Sequence, residues 1–272
     1  MESAGENRLK LTLHYDGSAF FGWQIQHEER TVQGEIQSAL ERLTGGLSTV
    51  IGSGRTDRGV HATGQVAAVS VPERWSATEL HRALNAVLPD DVWVERVDPV
   101  SPDFHPRYDA IARTYEYHLG LVAEASSPFH HRWCWPHHNR VDPAVLEQAA
   151  CELPGTFSFK RFAKAGQPER GYRCTIMNAE WEPWERLGLA FCITADRYLH
   201  HMVRYLVGTM VQIASDKRPL ADFTELLRNE RTELETSPPA PPEGLFLVRV
   251  DYPEPADEAG SGAHPTRSTP TP

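Results

Sequence analysis

Between Gly54 and His61 the chain reads Gly-Arg-Thr-Asp-Arg-Gly-Val-His, which sets Arg55, Arg58 and His61 around one carboxylate, Asp57. A carboxylate held among guanidinium groups stays ionised, because neighbouring positive charge favours its charged form. An ionised, positioned carboxylate can act as a nucleophile or a base. Gly54 and Gly59 flank the cluster and let the backbone turn tightly or come close to a ligand. Taken alone, the run reads more readily as a solvated charged turn. Two other chemistries fit poorly. Gly52-Ser53-Gly54 mimics the start of a dinucleotide fingerprint, but Asp57 stands where the third glycine would fall and no helical pattern follows. Ser53 lacks the G-x-S-x-G setting of a nucleophile elbow.

The elements that must position this run follow from periodicity and punctuation. Leu9 to Tyr15 alternates apolar and polar residues, as a strand does, and Asp16-Gly17 ends it in a turn. Thr31 caps a helix whose Val32, Ile36, Leu40 and Leu43 share one face, and Gly45 stops it. Ser48 to Gly52 is a short strand, and Thr63 to Val71 is the next one after the Asp57 run. Ser76 caps ATELHRALNAVL, which Pro89 stops, and Asp91 to Val97 alternates again. This β-α-β-β-α-β order is the ferredoxin-like split unit. The second half repeats it. Ile111 to Gly120 is a strand, and Asp142-Pro143 opens the helix AVLEQAACEL. Tyr172 to Trp181 and Gly188 to Ala195 form a hairpin pair around Pro183-Trp184-Glu185, and Leu245 to Tyr252 is the last strand. Between them, Tyr198 to Ala214 has an apolar stripe at helical spacing, with Arg197, His201 and Arg204 on the opposite side. That side either faces a cleft or is solvated.

The predicted class is therefore α+β. Two ferredoxin-like (RRM-like) halves, residues 1–103 and 104–252, present antiparallel sheets that form a central RNA-binding cleft. The RNA reading is by analogy with recognition modules of this topology. Residues 253–272 are rich in Pro, Ser, Thr and Gly and read as a disordered tail.

Composition narrows the class further. The net charge of −10 argues against a protein coated in basic surface. A local basic patch of Lys160, Arg161, Lys164, Arg170 and Arg173, faced by Glu169, can still bind phosphates, because salt screens distant charge beyond about 8 Å. No apolar run approaches the roughly 18 residues of a membrane span, so no membrane contact is expected. The polar start MESAGENRLKL has no secretory pattern. Four widely spaced cysteines, with no C-x-x-C, point to reduced thiols in the cytoplasm. His130, His131, Cys134, His137 and His138 cluster in sequence but match no zinc spacing, so no metal is expected. Phe20, Phe21 and Trp23 could stack bases or fill a core.

Five ordered segments carry a family resemblance. GRTDRGVHATGQVA and YDGSAFFGWQIQ are joined by FHPRYDAIARTYEY, LHHMVRYLVG and EGLFLVRVDYP. Together they resemble the motifs of the TruA family of tRNA pseudouridine synthases. The resemblance runs from Tyr15 to Pro253.

It implies isomerisation of uridine to pseudouridine at tRNA positions 38, 39 and 40, in the anticodon stem-loop, with no cofactor and no metal. It implies Asp57 as nucleophile, Arg55 as its ion-pair partner and base-flipping group, and Tyr115 as the residue that stacks on uracil and relays its C5 proton. Leu245 is implied to pack on the target base. Arg58, His61, Arg197, His201 and Arg204 complete the expected binding set. Tyr117, two residues along the same strand, shares a face with Tyr115, so the motif and not the spacing selects Tyr115. A homodimer that binds one tRNA with both subunits is also implied. Two departures stand out. Arg58 occupies a position where the family usually has alanine, and GTFSFKRF lacks the aspartate usual before its first phenylalanine. An RNA-binding module without catalysis, and a hydrolase with paired carboxylates, are the rival readings.

Overall fold

The computed structural model describes residues 5–164, 166, 171–229 and 231–253. Arg170 and Glu169 of the basic patch, and all of the expected tail beyond Pro253, lie outside the described residues. Strands β1 (Glu6–Tyr15), β2 (Ile51–Gly52), β3 (His61–Pro72) and β4 (Val92–Pro99) alternate with helices α1 (Val32–Thr44) and α2 (Ala77–Val87). Then follow β5 (Ala112–Gly120), β6 (Trp135–Pro136), α3 (Pro143–Cys151), β7 (Gly155–Ser158), β8 (Arg173–Trp184) and β9 (Gly188–Ala195). The chain closes with α4 (Met202–Ala214), α5 (Leu220–Arg228) and β10 (Leu245–Asp251). The result is a mixed fold of helices on one large, mostly antiparallel sheet.

Local chemistry sets the helix ends. The Thr31 side chain accepts the Gly34 N–H, and Gly45 ends α1 in the left-handed region at φ 76°. Ser76 and Glu79 form a reciprocal capping box at α2. Asp142 caps α3, with Pro143 at its first turn. The last predicted helix begins later than its apolar stripe suggests. His201 sits at φ 64°, ψ 6°, a left-handed conformation that helical hydrogen bonding cannot run through, so α4 starts at Met202. The Tyr198 hydroxyl instead donates to the carbonyls of Ile193 and Arg113. Helix α5, with Phe223, Leu226 and Leu227 buried, was not expected from the sequence.

The strand path is β4-β1-β3-β10-β5-β9-β8-β7, with β2 added on β3 and β6 on β5. The last strand thus lies at the centre. It runs parallel to β3, pairing Phe246 with His61 and Leu247 with Ala62, and antiparallel to β5. Two apolar cores flank this seam. Leu247 belongs to the core with α1 and α2, Leu245 to the core with α3, α4 and α5, and Tyr115 packs against both.

Gly64 permits the close approach of β10 to β3. A Cβ there would lie 2.0 Å from the Val248 carbonyl oxygen, which is backbone and cannot swing away. Gly64→Ala should therefore lower unfolding stability by about 1–3 kcal/mol, the usual cost of overpacking. Chemical denaturation checks this, and a variant as stable as the parent would contradict the seam.

Candidate active site

Asp57 lies in the short loop between β2 and β3, and buried polar groups hold that loop from beneath. Gln65 is 0% exposed. Its amide oxygen accepts the Ser53 hydroxyl at 2.8 Å and the Val66 N–H at 3.1 Å, and its amide nitrogen donates to the Gly54 carbonyl at 3.1 Å. The Tyr15 and Thr56 hydroxyls share a 2.8 Å hydrogen bond, and the Trp23 N–H donates to the Thr56 carbonyl at 3.0 Å. Each bond satisfies a group that would be costly to bury alone. The Val60 N–H closes the turn on the Asp57 carbonyl at 3.2 Å. Phe20 and Trp23 are core residues, whereas Phe21 is half-buried.

The side chains that meet the Asp57 carboxylate come from the other half of the chain. His200 Nε2 lies 3.2 Å from Oδ1 and His201 Nε2 lies 3.3 Å from Oδ2. Arg204 Nη1 is 3.7 Å from Oδ2, while its Nε donates to the Ala240 carbonyl at 2.7 Å. The left-handed His201 is the residue that points this ring back at Asp57 just before α4 begins. A cavity of about 450 Å3 opens over the group, lined also by Ser18, Arg58, Pro242 and Glu243.

Several expected site residues stand elsewhere. Arg55 does not pair with Asp57. It is exposed, and its Nε donates to Gln24 Oε1 at 3.0 Å. The family resemblance implied the pair, but Gln24 takes the Arg55 guanidinium instead. His61 is not in the cavity. It is 1% exposed, its Nδ1 accepts the Gly17 N–H at 3.0 Å, and its ring stacks on Phe246 at 4.7 Å. Arg197 precedes the helix rather than lying on it, and its Nη1 donates to the Gly171 and Arg173 carbonyls. Arg58 does reach the cavity, with its guanidinium 4.1 Å above the Phe21 ring. His200 and Glu243 were missed from the sequence. The His-His doublet was a usable signal for His200, but helical spacing singled out only its neighbour.

Tyr115 and Tyr117 are now distinguishable. The Tyr117 hydroxyl donates to the Pro241 carbonyl at 2.8 Å. The Tyr115 ring meets Tyr198 edge-on at 4.9 Å, and Asp57 is close enough to act on it electrostatically. Burial first, then Tyr15 and Asp57, pushes the Tyr115 phenol far above its ordinary pKa, so it is neutral near pH 7. Leu245, at 5% exposure, faces Tyr117 across the β5–β10 ladder.

Comparison with known proteins identifies the family. A family model described as tRNA pseudouridine synthase matches residues 12–109 and 149–253. The tRNA pseudouridine synthase A 1 of Protochlamydia amoebophila is 39% identical over 249 residues, covering 89% of this chain and 95% of that protein. The tRNA pseudouridine synthase A of Moorella thermoacetica is 38% identical over 246 residues, covering 90% and 99%. That of Bacteroides fragilis is 36% identical over 249 residues, covering 91% and 97%. The chain belongs to the TruA family of tRNA pseudouridine synthases, a family of isomerases.

Burial lowers the His201 pKa from its usual 6.5, outweighing Asp57, which raises it. The folded chain therefore takes up this proton at lower pH than the unfolded chain does. Stability contributed by neutral His201 is intact above about pH 6.5 and falls as pH drops through and below that value. Stability measured by chemical denaturation from pH 7.5 to 5 should fall less steeply in His201→Gln. Identical slopes would contradict the assignment.

Proposed function

We propose that this chain isomerises uridine to pseudouridine at positions 38, 39 and 40 in the anticodon stem-loop of tRNA, with Asp57 as the reacting carboxylate. The observation that carries this reading is one carboxylate, gripped by His200, His201 and Arg204, at a cavity of about 450 Å3. That volume suits a nucleoside-sized group. The reaction breaks the bond from ribose C1′ to uracil N1, turns the base, and rejoins it through C5 with loss of the C5 proton. Asp57 acts on C1′, on C6 or on the 2′ proton, and all three routes need it ionised and aimed. The Arg204 guanidinium favours the first, and the two imidazoles directed at its oxygens favour the second.

Tyr115 is proposed to lie against the uracil and pass on the C5 proton. Its high pKa favours a neutral phenol that stacks and hydrogen-bonds over a standing phenolate base. Leu245 packs the other side of the base. Arg55, held by Gln24 at the exposed rim rather than by Asp57, is available to fill the gap left by a flipped base. Arg58 on Phe21 offers a flat cation at the cavity mouth for a neighbouring nucleotide. In this chemistry no cofactor and no metal takes part.

The two-halves reading, residues 1–103 and 104–252 each ferredoxin-like, is supported by strand order. β4-β1-β3-β2 in the first half and β10-β5-β9-β8 in the second follow one pattern. The family match also falls in two stretches. We further propose a homodimer, in which two acidic subunits assemble one basic groove for tRNA. A cytoplasmic location is proposed from the four free cysteines. Among the described residues no helix is long and apolar enough to cross a membrane.

Glu243 gives one specific point in favour of the hydrolase reading, since it supplies a second carboxylate at the cavity. Product analysis separates the two. Asp57→Asn should reduce tritium release from C5-labelled tRNA by on the order of 10⁴-fold or more, as loss of a nucleophile does elsewhere, with tRNA binding kept. Unchanged release would overturn the role of Asp57, and free uracil as product would favour the hydrolase.

A further inference from the structure

The histidine-rich stretch that looks metal-like in sequence is not where ligand atoms converge. In that stretch the Cys134 thiol is buried and donates to the Ala125 and His130 carbonyls. Among the described residues, Asp57, His200 and His201 are the side chains whose nitrogen and carboxylate atoms all lie within 4.8 Å of one another. We infer that these three residues form a binding site for a borderline divalent ion, Zn2+ foremost, which occupies the Asp57 carboxylate reversibly.

The geometry suits such an ion. Two ligand atoms about 2.0–2.1 Å from a tetrahedral metal lie about 3.3 Å apart. His200 Nε2 is 3.2 Å from Oδ1 and His201 Nε2 is 3.3 Å from Oδ2, and one ligand atom from each of the three residues lies within 4.8 Å of the others, so a small turn of the carboxylate brings one oxygen to both nitrogens. Both histidines aim Nε2 at the carboxylate, one at each oxygen, so a metal enters by replacing the shared protons rather than by rebuilding the loop. The His200 side chain is 54% exposed, which leaves it free to swing by the small amount that closing the site requires. Arg204 does not block the ion. At 3.7 Å it makes a charge contact with Oδ2 and not a hydrogen bond, and its Nε is engaged by Ala240.

Two imidazoles and one carboxylate leave a fourth position for water, as in open zinc sites. Imidazole donors favour Zn2+, Ni2+ and Cu2+, whereas Mg2+ prefers oxygen ligands and keeps its waters. The Mg2+ that accompanies folded RNA would therefore not fill the site. The ion plays no part in the isomerisation proposed above. It removes the carboxylate's free lone pairs and its negative charge, and so shuts the reaction off. That consequence rests on Asp57 being the reacting group, whereas the binding itself does not.

The test titrates the untagged full-length chain with Zn2+ by calorimetry in excess Mg2+, without RNA. One ion per chain is expected, with affinity reduced at least about 10-fold in each of Asp57→Ala, His200→Gln and His201→Gln, the lower end of what even outer-sphere partners contribute. The double variant His131→Gln with His138→Gln should bind as the parent does. Co2+ substitution provides a second readout, with visible absorption in the parent that vanishes in Asp57→Ala, and a metal-free denaturation curve for Asp57→Ala that matches the parent's guards against a merely misfolded variant. Tight zinc binding that survives the three substitutions, or that is lost in the His131/His138 pair, overturns the inference. Zinc bound at the three residues while pseudouridine formation continues undiminished supports the site and overturns instead the assignment of Asp57 as the reacting group.

Discussion

Everything at the site depends on the seam where β10 enters the sheet between β3 and β5. Asp57 is delivered by the loop before β3, and His200, His201 and Arg204 are delivered by the segment after β9. These contacts are partly exposed, and such ion pairs contribute about 0–1 kcal/mol each. They are too weak to bring the two parts of the chain together. Burying Leu245 and Leu247 contributes about 1.5–3 kcal/mol apiece, and the ladders on both sides of β10 add direction to it. The apolar seam therefore sets the site, and the charges report how well it is set.

Beneath the loop the balance is different. Gln65 is fully buried among polar partners, and any partner removed would leave a donor or acceptor without water. This favours a single loop conformation over several of similar energy. In the role proposed for Asp57, a carboxylate that must meet a reacting atom within a few tenths of an ångström, such rigidity counts for more than extra stability. The same logic explains His201. A left-handed residue at the start of α4 is an unfavourable choice for most side chains, but it turns the ring back toward Asp57.

Much of this arrangement was legible in the chain, because local chemistry writes it there. Thr31, Ser76 and Asp142 announce helix starts by their side chains, and β1 and β4 announce themselves by alternation. Asp57 itself stood out by its setting. What the sequence could not reveal was set by distance along the chain. Arg55 was the partner that the family resemblance implied for Asp57, yet its side chain is held by Gln24 instead. His200 and Glu243 reach the site from far down the chain, and only packing brings them there. His61 looked like part of a charged cluster, but its β-strand position turns it onto Phe246. The parallel β3–β10 pair left no local trace at all, because nothing in either strand names its partner.

The most direct test of the account is a map of pseudouridine in tRNA from cells that lack this gene, complemented with the intact chain or with the Asp57→Ala chain. The account predicts that pseudouridine disappears from positions 38, 39 and 40, returns with the intact chain, and stays absent with Asp57→Ala. Pseudouridine restored at those positions by Asp57→Ala, or never lost from them, would contradict it.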